Sequence, residues 1–217
     1  SSQVIGSNPF VHMKMGPTTK AIILDFDGTL GDTTEVITRT MQATIKELGL
    51  PCRTDSECAA TIGLKLVEIP PALFPETDLN PQTFSSTYRR LFHIFNADGA
   101  VKLYPNVQET LHKLHSRGYI LAIASSRSHT TLDVYISKLG LSDIITYVVG
   151  GEDVTAGKPD PAAVNITLEK LGLRADETIV VGDTSFDIDM GRNAGTKTCG
   201  ATYGNGSKAS LKDADWL

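Results

Sequence analysis

From Tyr104 onward, short apolar runs alternate with segments of helical periodicity, and most runs close on a small or acidic residue. No other feature constrains the fold as much. Residues 119–124 end at Ser125-Ser126, 144–149 at Gly150-Gly151, and 178–181 at Gly182-Asp183; 197–201 forms a final run. Helical patterns fill the intervals at 107–117, 130–139, 161–171 and 185–193. An earlier run, 21–24, closes on Asp25-Phe26-Asp27-Gly28-Thr29. Strands that are apolar throughout are buried on both faces, and their alternation with helices makes the sheet parallel.

A different rhythm occupies the interval between the first run and the rest. Val36, Ile37, Met41, Ile45 and Leu48 recur at helical steps over 33–48, and Gly49 stops them. Residues 51–100 read as short helices broken at Pro51, Pro70-Pro71, Pro75 and Pro81. The last, over 83–97, carries Tyr88, Leu91, Phe92 and Phe95 on one face, and no strand is expected between Asp32 and Ala100. The expected architecture is α/β: a Rossmann-like parallel-sheet core (17–31 and 101–217) with an inserted α-helical cap domain (32–100). Residues 1–16 lack periodicity and include His12-Met13, so they read as a leader or cloning remnant. The C-terminal edge of the core reads as cut short after Trp216.

Bulk properties exclude several roles. The net charge is -5 over 217 residues with no basic run, which argues against a nucleic-acid partner. No apolar stretch approaches the roughly 18 residues of a membrane span. The cysteines, Cys52, Cys58 and Cys199, are odd in number and form no C-x-x-C pair, so a reducing, cytoplasmic setting is expected. Cys199 reads as a small buried hydrophobe. A P-loop fails, because Gly151 and Gly157 are separated by one residue too many and Pro159 follows Lys158.

Open parallel sheets bind ligands beyond the carboxyl ends of their strands. What ends each strand is therefore the test: Asp25 and Asp27, then Ser125 and Ser126, then Glu152-Asp153 followed by Lys158, then Asp183 with Asp187 four residues on. Taken singly, each has a plainer explanation. A strand-end aspartate often only caps the next helix, a lone lysine is usually solvated, and Thr184-x-x-Asp187 fits a capping box. Four polar sites at successive strand ends make that explanation weak for the set.

These residues carry a resemblance. Asp25-Phe26-Asp27-Gly28-Thr29-Leu30 is similar to the D-x-D-G-T-L motif of the haloacid dehalogenase superfamily. Ser125 matches its second motif, Lys158 in Gly-Lys-Pro-Asp-Pro its third, and Gly182-Asp183-x-x-x-Asp187 its fourth. The insert resembles the small helical cap of the phosphoglycolate phosphatase and β-phosphoglucomutase branch. The resemblance implies a Mg²⁺-dependent phosphatase hydrolysing small phosphomonoesters. Asp25 would be the nucleophile that forms a phospho-aspartate, and Asp27 the acid and base. Ser125, Ser126 and Lys158 would bind phosphate. Asp25, Asp183 and the Asp27 backbone carbonyl would hold Mg²⁺, with Asp187 a further ligand or a support behind them. Gly28 would let backbone N–H groups approach the phosphoryl group.

Alternatives are a β-phosphoglucomutase-like phosphomutase or an inorganic pyrophosphatase. A haloacid dehalogenase proper lacks the aspartate found here as Asp27. The partner is a small phosphorylated metabolite, and the protein a monomer or homodimer. Substrate choice falls to the cap, with Lys65 as the specificity candidate beside Arg89, Arg90 and His93, although Lys65 more often would be a solvated helix lysine. Residues 60–75 carry only Lys65 and Glu68 as charges, so the lid is expected to be apolar and poor at gripping a sugar.

Overall fold

β1 (Ala21–Leu24) lies at the centre of a five-stranded sheet, flanked by β4 (Ile120–Ala124) and β6 (Thr178–Gly182), with β5 (Ile145–Val149) and β7 (Lys197–Gly200) outermost. All pairings are parallel. The computed structural model describes residues 15–96 and 101–217. Residues 1–14 of the expected leader, and Ala97 at the end of the expected cap helix, lie outside the described residues.

Register positions the chemistry. Leu24 stands level with Ile123 and Val181, so β1, β4 and β6 finish along one rim. The Asp25 N–H extends the ladder to the Val181 carbonyl at 2.9 Å, and the Ser125 N–H to that of Val149 at 3.0 Å. Side chains alternate across the sheet. Ile22, Leu24, Leu121, Ile123, Ile179 and Val181 enter one core with α5 (Val107–Ser116) and α6 (His129–Lys138). Ile23, Ala122 and Val180 enter the other with α7 (Ala162–Leu171) and α8 (Ser185–Asn193). Burying each of the larger residues contributes roughly 1.5–3 kcal/mol, which is why the strands are apolar on both sides.

Between β1 and β4 the chain forms α1 (Thr34–Glu47), α2 (Asp55–Ala59), α3 (Ile69–Leu73) and α4 (Pro81–Phe95). Local chemistry sets their starts. Thr54 and Glu57 close a capping box on α2, and the Asn80 side chain accepts from the Gln82 and Thr83 N–H groups at α4, where Pro81 gives up no needed donor. Phe74, Phe84, Tyr88 and Phe92 pack ring on ring along these helices. They belong to the same apolar cluster as Ile22 and Leu24, so the helices share a core with the sheet.

Several expectations need correction. β2 (Gly31–Asp32) and β3 (Lys102–Leu103) form an antiparallel ribbon where no strand was expected at Asp32. Two-residue strands are too short to show a period. α7 begins one residue later than expected, at Ala162, with the Pro161 carbonyl accepting from the Asn165 N–H at 2.9 Å and Asp160 accepting from the Ala162 N–H at 2.9 Å. At the C-terminal edge the last residues keep contact with the sheet. Trp216 lies against β7, its carbonyl accepting from the Gly200 N–H at 2.8 Å and its N–H donating to Thr198 at 3.2 Å. Cys199 is buried in that strand as expected, and burial pushes its thiol up to about 11. Among the described residues no helix is long and apolar enough to cross a membrane.

Candidate active site

At the shared strand rim, Lys158 Nζ donates to Asp25 Oδ1 at 2.5 Å and to Asp187 Oδ1 at 2.6 Å, with all three side chains buried. Asp183, at the end of β6, is fully buried. Its Oδ1 accepts from the Thr29 hydroxyl at 3.1 Å, and its Oδ2 from the Asn205 N–H at 2.6 Å and side-chain amide at 3.0 Å. Asp187 Oδ2 accepts from the Thr184 N–H at 3.0 Å and hydroxyl at 2.7 Å. Asp187 thus caps α8 with one oxygen and meets Lys158 with the other.

Asp25, Asp183 and Asp187 each offer an oxygen, all within 4.8 Å of one another. Burial pushes Asp25 well above the usual carboxylate range, and Asp187, Asp183 and Asp27 add to this against the pull of Lys158. Burial and then Asp187 raise Asp183 to about 6, against the hydrogen bonds from Asn205 and Thr29. Burial alone would discharge Lys158, but Asp187 and Asp25 outweigh it and hold the ammonium protonated. Three buried carboxylates facing one ammonium leave an excess of negative charge that only a cation or protons can neutralise. The all-oxygen donor set fits a hard divalent ion such as Mg²⁺.

Asp27 does not join this cluster. Its carboxylate is held by Arg127, Nε to Oδ2 at 3.1 Å and Nη2 to Oδ1 at 2.5 Å. Ser125 is buried, and its oxygen accepts from the Arg127 N–H at 3.2 Å. The Ser126 hydroxyl donates across to the Gly63 carbonyl of the insert at 2.5 Å. Gly28 has φ +89°, and its own N–H is tied to the Gly31 carbonyl at 2.9 Å, so that group does not approach a phosphoryl. What the position requires is the positive φ and the absence of a Cβ, which would collide with Asp183 and Asn205. Glu152 and Asp153 are diverted: Glu152 accepts from the His129 N–H at the start of α6, and Asp153 pairs with the His129 ring.

Above the rim lies a cavity of about 880 Å³, bounded by Asp25, Asp27 and Arg127 below and by the insert above. Ile37, Met41 and Leu66 make part of its wall apolar, yet α4 contributes Arg89 and His93, and Asn96 just beyond it is polar as well. The expected apolar lid is therefore corrected, since residues 60–75 are only half of it. Arg90 faces away and pairs with Glu47. Lys65 is not a solvated helix lysine. It lies outside any helix, half-buried, with Nζ donating to the carbonyls of Val154 at 2.8 Å and Thr155 at 3.2 Å.

Arg127, Asn205 and Thr29 were not singled out from sequence. Arg127 carried one faint signal, a basic residue just past the strand-ending serines. Asn205 stands in no motif that would point to this role.

A family model described as haloacid dehalogenase-like hydrolase matches residues 22–201. A phosphoglycolate phosphatase from Vibrio cholerae is 31% identical over 203 residues, covering 90% of each chain. A pyrophosphatase PpaX from Oceanobacillus iheyensis is 30% identical over 198 residues, covering 91% of this chain and 87% of that one. A solved haloacid dehalogenase-like hydrolase from Bacteroides fragilis superposes with a TM-score of 0.85 at 26% identity, over 92% of this chain and 95% of the other.

Proposed function

The chain belongs to the haloacid dehalogenase-like hydrolases and is a phosphatase acting on phosphoric esters; from that premise we propose that it hydrolyses small phosphomonoesters through a phospho-aspartate on Asp25. The observation that carries this is the buried contact of Lys158 with Asp25, beside Asp183 and Asp187, at the end of the central strand. Asp25 Oδ attacks phosphorus, and the bond to the leaving oxygen breaks as Asp27, turned off Arg127 and carrying a proton taken up from solvent, gives that oxygen the proton. Water then attacks the same phosphorus, Asp27 takes its proton, and phosphate departs with Asp25 regenerated. Lys158 holds Asp25 and neutralises incoming phosphoryl charge, and the Ser125 hydroxyl, buried and on the wall of the same cavity, donates to a phosphoryl oxygen. Asp25, Asp183 and the Asp27 carbonyl, with Asp187 behind or among them, would hold Mg²⁺. When bound, the ion offsets repulsion between carboxylate and phosphate.

Phosphoglycolate, named for one relative, carries a carboxylate on the carbon next to its phosphoester oxygen; pyrophosphate, named for another, joins its phosphate to a second phosphate. Pyrophosphatase activity is accordingly the second reading. A cytoplasmic setting fits three cysteines that are all free.

The test is phosphate release from p-nitrophenyl phosphate. Release is expected to require Mg²⁺ and stop with EDTA, and D25N should lower turnover by several orders of magnitude without unfolding the protein. Full activity in metal-free buffer would refute the scheme. With β-glucose 1-phosphate and a trace of the 1,6-bisphosphate, predominant glucose 6-phosphate would make the protein a mutase.

A further inference from the structure

The proposed reaction must break the ion pair between Asp27 and Arg127, and we infer that a second anionic group on the substrate takes the place of Asp27 on Arg127. The inference rests on the phosphatase reading above. Both Asp27 oxygens are tied to one guanidinium edge, and the two side chains are only 14% and 9% exposed. A carboxylate held by both oxygens has to turn off that edge before it reaches the oxygen leaving phosphorus. Arg127 cannot follow it. Its guanidinium carbon lies 4.9 Å from the ring centre of Phe92 in α4, 5.1 Å from that of Tyr135 in α6, and 6.0 Å from that of Phe26 after β1. Phe26 and Tyr135 are themselves stacked at 5.2 Å. Rings from the insert, a core helix and the nucleophile loop thus hold the cation in place.

A guanidinium stays charged at any working pH, and stranding it in so buried a place is strongly unfavourable. The turn of Asp27 therefore needs an incoming group that satisfies the same edge. That edge matches the two oxygens of a carboxylate or phosphate. Lys158 is committed to Asp25 and Asp187, and Lys65 to two backbone carbonyls, while Lys138 lines the cavity from an exposed position. Among the described residues, Arg127 is the buried cation of this cavity whose acidic partner is the one that must move. The favoured substrates are phosphoesters or anhydrides with a second anion a few atoms from the transferred phosphoryl group. A neutral tail leaves Asp27 clamped. Arg127 is then the receptor for the substrate tail and a positioning residue for Asp27.

The test compares kcat/KM, with Mg²⁺, for 2-phosphoglycolate, pyrophosphate and 2-hydroxyethyl phosphate, the last having the skeleton of the first without its carboxylate. The wild-type protein should favour at least one charged substrate over the neutral one by about 10- to 100-fold, and which one identifies the tail as carboxylate or phosphate. In R127Q that preference should collapse toward unity. R127K keeps the charge without the two-pronged edge and should retain only a fraction of the preference; it also covers the case in which R127Q does not fold. A merely structural defect would lower all three substrates together and leave the ratios unchanged. Equal kcat/KM for the three with wild type, or ratios unchanged in R127K, would overturn the inference and leave the phosphatase reading standing. So would loss of the preference in R89Q with R127K unaffected, which would move the receptor to the cap. Absence of Mg²⁺-dependent phosphate release from all three substrates would instead remove the reading beneath it.

Discussion

Asp183 shows how much of this site is held by residues that never meet substrate. Its two oxygens take three hydrogen bonds, from Thr29 and twice from Asn205, and Asn205 in turn accepts from the Thr34 hydroxyl at 2.8 Å. The Tyr203 hydroxyl donates to the Thr29 carbonyl, closing the arrangement from the other side. Bonds of this kind aim a ligand carboxylate, and losing one typically weakens metal affinity about 10- to 100-fold. N205A should therefore raise the Mg²⁺ concentration for half-maximal activity by roughly tenfold or more, with turnover at saturating Mg²⁺ much less affected. A Mg²⁺ titration of phosphate release measures both. An unchanged Mg²⁺ requirement would mean that Thr29 and the backbone N–H at 205, which the variant keeps, suffice to aim Asp183. The sequence could name Asp183, because it stands in a local motif at a strand end. It could not name Asn205, which lies in an irregular segment and meets Asp183 only through the fold.

At the scale of elements, the turn after β1 is the most demanding stretch. The N–H groups of Leu30 and Gly31 converge on the Phe26 carbonyl, Gly28 sits at φ +89°, and Asp183 and Asn205 press on its missing Cβ. G28A would combine backbone strain with a collision, so a loss of about 1–3 kcal/mol is expected. Equilibrium unfolding in urea would report it as a lowered midpoint. A variant as stable as the parent would show that the turn can relax. The sequence conveyed the strand, turn and first acid of this element because each depends on neighbours in the chain. The same holds for α8, whose expected limits of 185–193 match Ser185–Asn193. It failed for β2 and β3, and for Asp27–Arg127, where the partners are far apart in sequence and no residue between them signals the contact. α4 shows a third limit. Its aromatic face was readable from spacing, but Arg89 and His93 line the cavity while Arg90 does not, and rotation about a helix axis is set by packing.

For the whole molecule, the carboxylate cluster makes stability depend on pH and metal together. Asp183 titrates at about 6 in the folded chain against 3.8 as its ordinary value, and Asp25 shifts the same way. The folded state then binds more protons than the unfolded state between those values. The contribution of this cluster to metal-free stability is therefore fully present below the lower value and is lost as pH rises through the upper one. Mg²⁺ binds the deprotonated cluster, so its stabilisation should grow across the same window. Melting temperatures at pH 5 and pH 7, with EDTA or with Mg²⁺, check this. The gap between the two conditions should widen by several degrees at the higher pH, and a gap independent of pH would mean that Mg²⁺ binds elsewhere. The ribbon of β2 and β3 has a different kind of consequence. Asp32 stands opposite Lys102, so the chain departs from the sheet and rejoins it at adjacent points. A detour whose ends are already held side by side adds closure entropy only logarithmically with its length and makes no demand on the strands behind it. Descendants of such a chain can lengthen, shorten or replace the detour, provided that they cover Phe26 and its neighbours, while inheriting the acid cluster unchanged. The ribbon is in that sense a splice point, where the choice of what to act upon can evolve apart from the means of acting.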